Sequence, residues 1–173
     1  MSVFFISDLH LGHRTILEHC HEVGSFRGGT TIDEHDEWVI AQMLSVKSNK
    51  RTLWYILGDV AMDETKLEML TRVPGRKILL PGNHDLFKTA VYLPYFEAII
   101  GSFKKYDFWI SHIPVHPAEL RGHPNVHGHC HNHTLKDDPR YLNCALEWLP
   151  KQRPISLDEI RATWLPLALE ACQ

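Results

Sequence analysis

Five short apolar runs each stop at a polar cluster, and this punctuation limits the folds open to the chain more than any other feature. Val3-Phe4-Phe5-Ile6 leads into Asp8-Leu9-His10, and residues 53–57 lead into Gly58-Asp59. Residues 77–80 lead into Pro81-Gly82-Asn83-His84-Asp85, and residues 106–110 into Ser111-His112. A weaker run, Pro124-Asn125-Val126, leads into His127-Gly128-His129-Cys130-His131. Short continuous apolar runs read as buried strands. In layered α/β folds, ligands gather at the carboxyl ends of the strands. Five strand ends therefore deliver Asp, Asn and His to one edge.

The segments between these runs carry helical signals. Residues 32–46 form a helix capped by Thr31, with Asp33, Glu34 and Asp36 near its start, where the helix dipole favours acids. Shorter helices are expected at 65–70 and 16–21, and Ser156 with Glu159 forms a capping box that opens a C-terminal helix. Residues 141–149 read as one more strand. There is no repeat, low-complexity tract or linker, which points to an α/β fold in a single domain over residues 1–173.

Composition narrows the function. The net charge of -3 gives no global basic surplus, so stable nucleic-acid binding is not indicated. The apolar start is too short for a signal peptide, and no run approaches a membrane span. The four cysteines, Cys20, Cys130, Cys144 and Cys172, form no CxxC pair, which disfavours a cysteine zinc knuckle and fits reduced thiols in the cytoplasm. Histidine is abundant, 13 of 173 residues. It is both a metal ligand and an acid or base near neutral pH.

The spacing of those histidines carries the chemistry. In Asp8-x-His10 and His129-x-His131, alternate residues of an extended segment would point the same way. The Asp59 carboxylate has two oxygens and can bridge two cations, and Asn83 offers a neutral hard oxygen. His112 follows an apolar strand, and alone would read as a core histidine. Together, Asp8, His10, Asp59, Asn83, His112, His129 and His131 exceed one four-coordinate site, and two divalent metals sharing a carboxylate account for the number better. A mixed nitrogen and oxygen set suits manganese, iron, nickel or zinc. The adjacent His84 would reach substrate instead of metal.

These motifs, in this order from residue 8 to 131, resemble those of the calcineurin-like metallophosphoesterases, specifically a small, single-domain bacterial or phage-type member. The resemblance implies a four-layer fold, a central β-sandwich flanked by helices with the metals at strand ends. It also implies two ligand sets: Asp8, His10, Asp59 and His131 for one metal, and Asp59, Asn83, His112 and His129 for the other. The implied reaction is hydrolysis of a small phosphate ester, such as a nucleotide, by in-line attack of a metal-bridging hydroxide, with His84 protonating the leaving oxygen. A phosphodiester is favoured over a phosphomonoester and manganese over iron, nickel or zinc. In the run Gly58-Asp59-Val60-Ala61-Met62-Asp63-Glu64 the second Asp of the protein-phosphatase motif is displaced and its Arg is missing, which leaves His84 to Asp63 or Asp85 for a carboxylate partner. A catalytically silent scaffold and a metal-binding protein are the alternatives.

Residues around the site have less distinct roles. His13 and Arg14 are candidates for a substrate phosphate contact, and His127 for support of the metal ligands. Phe26-Arg27-Gly28-Gly29 is expected to border the pocket. His19, His21, His35, His116, His123 and His133 read as surface or structural, Cys130 as pointing away from the ligands, and Trp54 and Trp109 as core.

Overall fold

The computed structural model describes residues 2–18, 27–131, 135 and 138–173. Two sheets form a sandwich. The first runs in the order β4-β3-β2-β1-β9, built from β1 (Val3–Ile6), β2 (Leu53–Ile56), β3 (Arg76–Leu79), β4 (Ala98–Ile99) and β9 (Ile155–Ser156). Its strands are parallel except β9, which runs antiparallel to β1. The second sheet has the order β5-β6-β7-β8, with β5 (Phe103–Lys105), β6 (Phe108–Ile110), β7 (Asn125–His127) and β8 (Tyr141–Asn143). Here β6, β7 and β8 are parallel.

The two-residue period of a strand divides β1 between two cores. Phe4 and Ile6 pack with Trp54 and Ile56 under α1 (Ile32–Leu44), where Val39, Ile40 and Met43 complete the layer. Val3 and Phe5 face the other way and meet Phe108, Ile110 and Val126 of the second sheet. Because β1 and β2 are covered on both faces, all four residues of each are buried, which is why they read as continuous apolar runs. The C-terminal segment adds Leu157, Ile160 and Leu165 to the inter-sheet core; it starts as a helical turn (Leu157–Glu159, α3), passes through a π-helical turn (Ile160–Trp164) and ends as α4 (Leu165–Glu170). A further turn of helix, α2 (Thr89–Tyr92), follows the third strand end.

Thr31 and Ser156 both form complete capping boxes, with Glu34 and Glu159. Several elements differ from the sequence expectation. The short helix at 65–70 is a 3₁₀ helix spanning Glu64–Arg72. Residues 16–18 begin the expected helix, and its remainder lies outside the described residues. Trp54 is buried in the core, whereas Trp109 is half-buried and donates to the Leu120 carbonyl at 3.2 Å. The strand expected over 141–149 ends at Asn143, whose side chain folds back to accept the Ala145 amide at 2.9 Å. A turn follows, and it carries Glu147 to the strand ends.

Candidate metal centre

Beyond the last ladder pair of each strand, the chain continues to pair along the site edge. The Asp8, His10 and Leu11 amides donate to the carbonyls of Gly58, Asp59 and Val60. Ser7 pairs with Ala145, joining the two sheets next to the site. The loops are thus extensions of the sheets, which fixes the side chains they carry.

All seven expected ligands converge. Asp8, His10 and His131 form one cluster and Asp59, His112 and His129 a second. Asn83 joins the second, its Oδ1 lying 3.0 Å from His112 Nε2 and 2.9 Å from His129 Nδ1. His10 Nε2 and His131 Nε2 are 3.2 Å apart. Asp59 Oδ2 lies between the clusters, 3.8 Å from His10 Nε2 and 3.5 Å from His112 Nε2.

The two carboxylates share a design. Asp8 Oδ2 accepts the His129 amide at 2.9 Å, while the buried Asp8 Oδ1 has no hydrogen-bond donor among the described residues. Asp59 Oδ1 accepts the His84 amide at 2.9 Å, while Oδ2 faces the histidines. Each acid uses one oxygen to hold a neighbouring loop and offers the other. A buried, orphaned carboxylate oxygen surrounded by imidazole nitrogens is the environment a divalent cation satisfies. The donor set therefore fits two divalent cations.

Backbone conformation differs from the extended arrangement expected for the paired motifs. Asp8 (φ 58°), His10 (φ 51°), Asp59 (φ 53°), His129 (φ 68°) and His131 (φ 44°) are all left-handed. Each such residue costs about 1–3 kcal/mol and persists only where its surroundings enforce it. Left-handed residues alternating with ordinary ones turn two side chains inward within one turn of chain. Two glycines permit this crowding. A Cβ on Gly128 would lie 1.8 Å from Ser7 Oγ, and one on Gly82 would lie 2.2 Å from Asp59 Oδ1.

The ring nitrogens are oriented from behind. His112 Nδ1–H donates to the Leu57 carbonyl at 2.6 Å, leaving Nε2 for the site. His131 Nδ1–H donates to Glu147 at 2.5 Å. Glu147 is paired in turn with Arg27 at 2.7 Å. Arg27 also donates to the carbonyls of Leu9 and Asp8 and to His35 Nε2. The chain of contacts continues from His35 to Asp36, which accepts the Gly12 amide at 3.0 Å and pairs with Lys66. Arg27 therefore lies buried beneath the centre and does not border an open pocket, and His35 is a buried structural residue. Sequence reasoning missed the supporting roles of Glu147, Arg27 and Asp36 because these depend on partners distant in the chain; only Glu147, an acid within the apolar stretch 144–149, carried a local signal.

Electrostatics follow this packing. Burial opposes ionisation of Asp8, but His10, His131 and His112 outweigh it and hold its pKa well below the carboxylate range. Burial lowers the His10 pKa to about 4. Burial also opposes charge on Glu147, yet Arg27 and His131 bring its pKa down to about 2. His131 is raised overall, because Glu147 and Asp8 outweigh its burial.

The remaining candidates occupy distinct places. His84 is exposed, with its ring 5.7 Å from that of His10. Neither expected carboxylate partners it: Asp85 accepts the amides of Asp59, Val60 and Gly82, and Asp63 caps the 3₁₀ helix. The His13 ring lies 5.3 Å from that of His10, and Arg14 is exposed on the same rim. His127 is buried behind the ligand loop, donating to the Gly128 carbonyl at 2.7 Å and packing edge-on against Tyr141. Cys130 is half-buried. His116 and His123 are outside the centre, and His19, His21, Cys20, Phe26 and His133 lie outside the described residues.

An uncharacterized protein of Methanocaldococcus jannaschii is 27% identical over 169 residues, covering 91% of this chain and 88% of the relative. A solved structure of a protein of unknown function from Aquifex aeolicus superposes with a TM-score of 0.71 at 25% identity, covering 93% of this chain and 98% of that one. A Pseudomonas putida nuclease shares the fold, with a TM-score of 0.50 at 18% identity over 75% of this chain and 61% of the nuclease. The model of the calcineurin-like phosphoesterase family matches residues 1–170, and the chain belongs to that family.

Proposed function

We propose that this protein is a metal-dependent phosphoesterase that hydrolyses a small phosphate ester, a phosphodiester in preference to a monoester. The observation that carries this reading is the position of Asp59 Oδ2 between two clusters of ligand groups. Asp8, His10, Asp59 and His131 would hold one cation, and Asp59, Asn83, His112 and His129 the other. Two divalent cations, manganese first among the candidates, would supply Lewis acidity that activates water and neutralises phosphate charge.

The protein's own groups account for the rest of the chemistry. The His84 amide is tied to Asp59, so its exposed ring is held at the rim, where it can donate a proton to a leaving oxygen. His13 and Arg14 lie on the His10 side and supply donors for phosphate oxygens. Ser7 is committed to the Leu57 carbonyl and Ser111 to the Ile113 carbonyl, so neither serves as a nucleophile. Diester cleavage is also the chemistry of the P. putida nuclease that shares the fold. Unpaired thiols at Cys130, Cys144 and Cys172, with no helix among the described residues able to cross a membrane, support a cytoplasmic setting.

The test is hydrolysis of bis(p-nitrophenyl) phosphate by protein loaded with manganese. Activity should disappear with chelator and fall by about 100-fold in Asp59→Asn, which replaces the carboxylate shared by both sites with a neutral amide having one ligand oxygen. A fully metal-loaded protein inactive on diesters and monoesters alike would overturn the reading.

A further inference from the structure

The metal centre is flanked by two unlike surfaces. On the His10 side lie His13, Arg14 and the ring of His84. On the His112 side a cleft of about 350 Å³ opens directly beside Asn83 and His112. Its other walls are Leu80, Pro81, Gly82, Ile100, Gly101, Ser102 and Ile113, and among the described residues none that lines it is Asp, Glu, Lys or Arg. Ile113 is 55% exposed although it directly follows a ligand histidine. A wetted isoleucine at the mouth of an uncharged cleft, next to groups that would hold a phosphate, is a surface a ligand can cover.

We propose that this cleft binds the retained ester arm of a phosphodiester, and that this arm is an uncharged apolar or planar group such as an aryl ring or a nucleobase. The proposal rests on the phosphoesterase reading above and deepens it. His84 would protonate the leaving oxygen on the His10 side, so the arm lying beside His112 is the one that stays on phosphorus. A phosphomonoester has no such arm and leaves the cleft unfilled. An arm carrying further phosphates would bring charge against Leu80, Ile100 and Ile113 with no cationic side chain among the described lining residues to offset it. The cleft thus selects for a diester with one neutral, ring-sized substituent.

Gly101 makes the idea testable. A Cβ built there meets nothing within 4 Å, so this position on the cleft wall has room for a side chain to start into open space. Metal-loaded wild type, Gly101→Phe and Ile113→Glu would be compared on bis(p-nitrophenyl) phosphate, methyl p-nitrophenyl phosphate and p-nitrophenyl phosphate. All three esters share one leaving group and differ in the retained arm. Wild type is expected to prefer the bis-aryl diester. Both variants are expected to reduce the bis-aryl to methyl ratio of kcat/KM at least tenfold, through KM for the bis-aryl ester, with metal content and Tm unchanged. If Gly101→Phe fails to fold or to bind metal, Ile113→Glu decides alone. An unchanged ratio, or equal loss on both diesters, overturns the proposal. Faster turnover of the monoester than of either diester overturns it together with the diester preference, while leaving metal-dependent phosphoesterase activity intact. No hydrolysis of any ester by metal-loaded wild type overturns both.

Discussion

Arg27 and Glu147 form an ion pair of 2.7 Å, with both side chains fully excluded from solvent. The guanidinium also holds the Asp8 and Leu9 carbonyls, and the other carboxylate oxygen takes the His131 Nδ1 proton. One buried pair therefore fixes the backbone at Asp8 and the ring of His131, two donors of the same cluster.

Removing Glu147 should expose both roles. Glu147→Ala leaves a buried guanidinium without its counter-ion, which costs roughly 3–5 kcal/mol. It also frees the His131 ring, and loss of such a supporting carboxylate weakens metal binding about 10–100-fold. The expected result is a lower Tm and loss of one cation before the other in dialysis against graded chelator. Glu147→Gln, which retains an acceptor, should lie between. Two equally tight equivalents in the alanine variant would show that the pair does not support the site.

His127 sets a pH dependence in the metal-free protein. Burial holds its folded pKa down to about 4, against an ordinary value of 6.5. Between those values the unfolded chain takes up a proton that the folded chain refuses. The stability this group contributes is therefore complete above pH 6.5 and declines as pH falls towards 4, by up to about 1.4 kcal/mol per pH unit. His10 declines in the same window, and Glu147 adds a further loss below its ordinary range. Denaturant unfolding of chelator-treated protein between pH 7 and 4 should show a shallower slope for His127→Gln than for wild type. Parallel slopes would mean that the histidine is charged in the folded state.

Asp85 is a clamp between strand ends. Its carboxylate accepts the amides of Asp59, Val60 and Gly82 at 2.7, 2.9 and 2.8 Å. Asp85→Ala strips three donors of their acceptor, and each buried donor left unmet costs about 1–3 kcal/mol. Thermal unfolding should show a lower Tm, and metal analysis a weakened second cluster, because the Asp59 and Asn83 loops lose their common anchor. Were Asp85 instead a partner for His84, the variant would keep its Tm and shift the pH–rate profile.

The extent to which the sequence revealed this centre follows from the range of each interaction. The ligands were legible because every one sits immediately after an apolar strand, and strand runs are local signals. Thr31 as an N-cap and Ser156 as the start of a capping box were legible for the same reason, since each signal lies within four residues. Glu147 was not, because its meaning depends on Arg27, 120 positions away, and on a turn set by Asn143. The left-handed backbone at Asp8 and His129 was also hidden: an alternating motif suggests a strand, and only the contact between their loops enforces the strained form. β4, β5 and β9 are two or three residues long and exist through their neighbours, so no local pattern announces them.

Gly128 packs against Ser7 beside the point where the two sheets are bridged at the site. A Cβ on Gly128 would stand 1.8 Å from Ser7 Oγ, 2.6 Å from Ser7 Cβ and 2.7 Å from Asp8 Oδ2. Ser7 cannot yield, because its hydroxyl donates to the Leu57 carbonyl and its amide to Cys144. Gly128→Ala must therefore push the His129 loop away from β1 and break the bond from the His129 amide to Asp8. Since His129 and His131 serve different clusters, both cations should bind more weakly, and Tm should fall. Ser7→Gly removes the two nearest obstructing atoms, so the double variant should regain part of the lost metal binding even though it lacks the Ser7 hydrogen bond. Metal titration and Tm on the four proteins of this cycle give the coupling directly. Strictly additive losses would mean that the Ser7–Gly128 contact is not what holds the two halves of the metal centre in register.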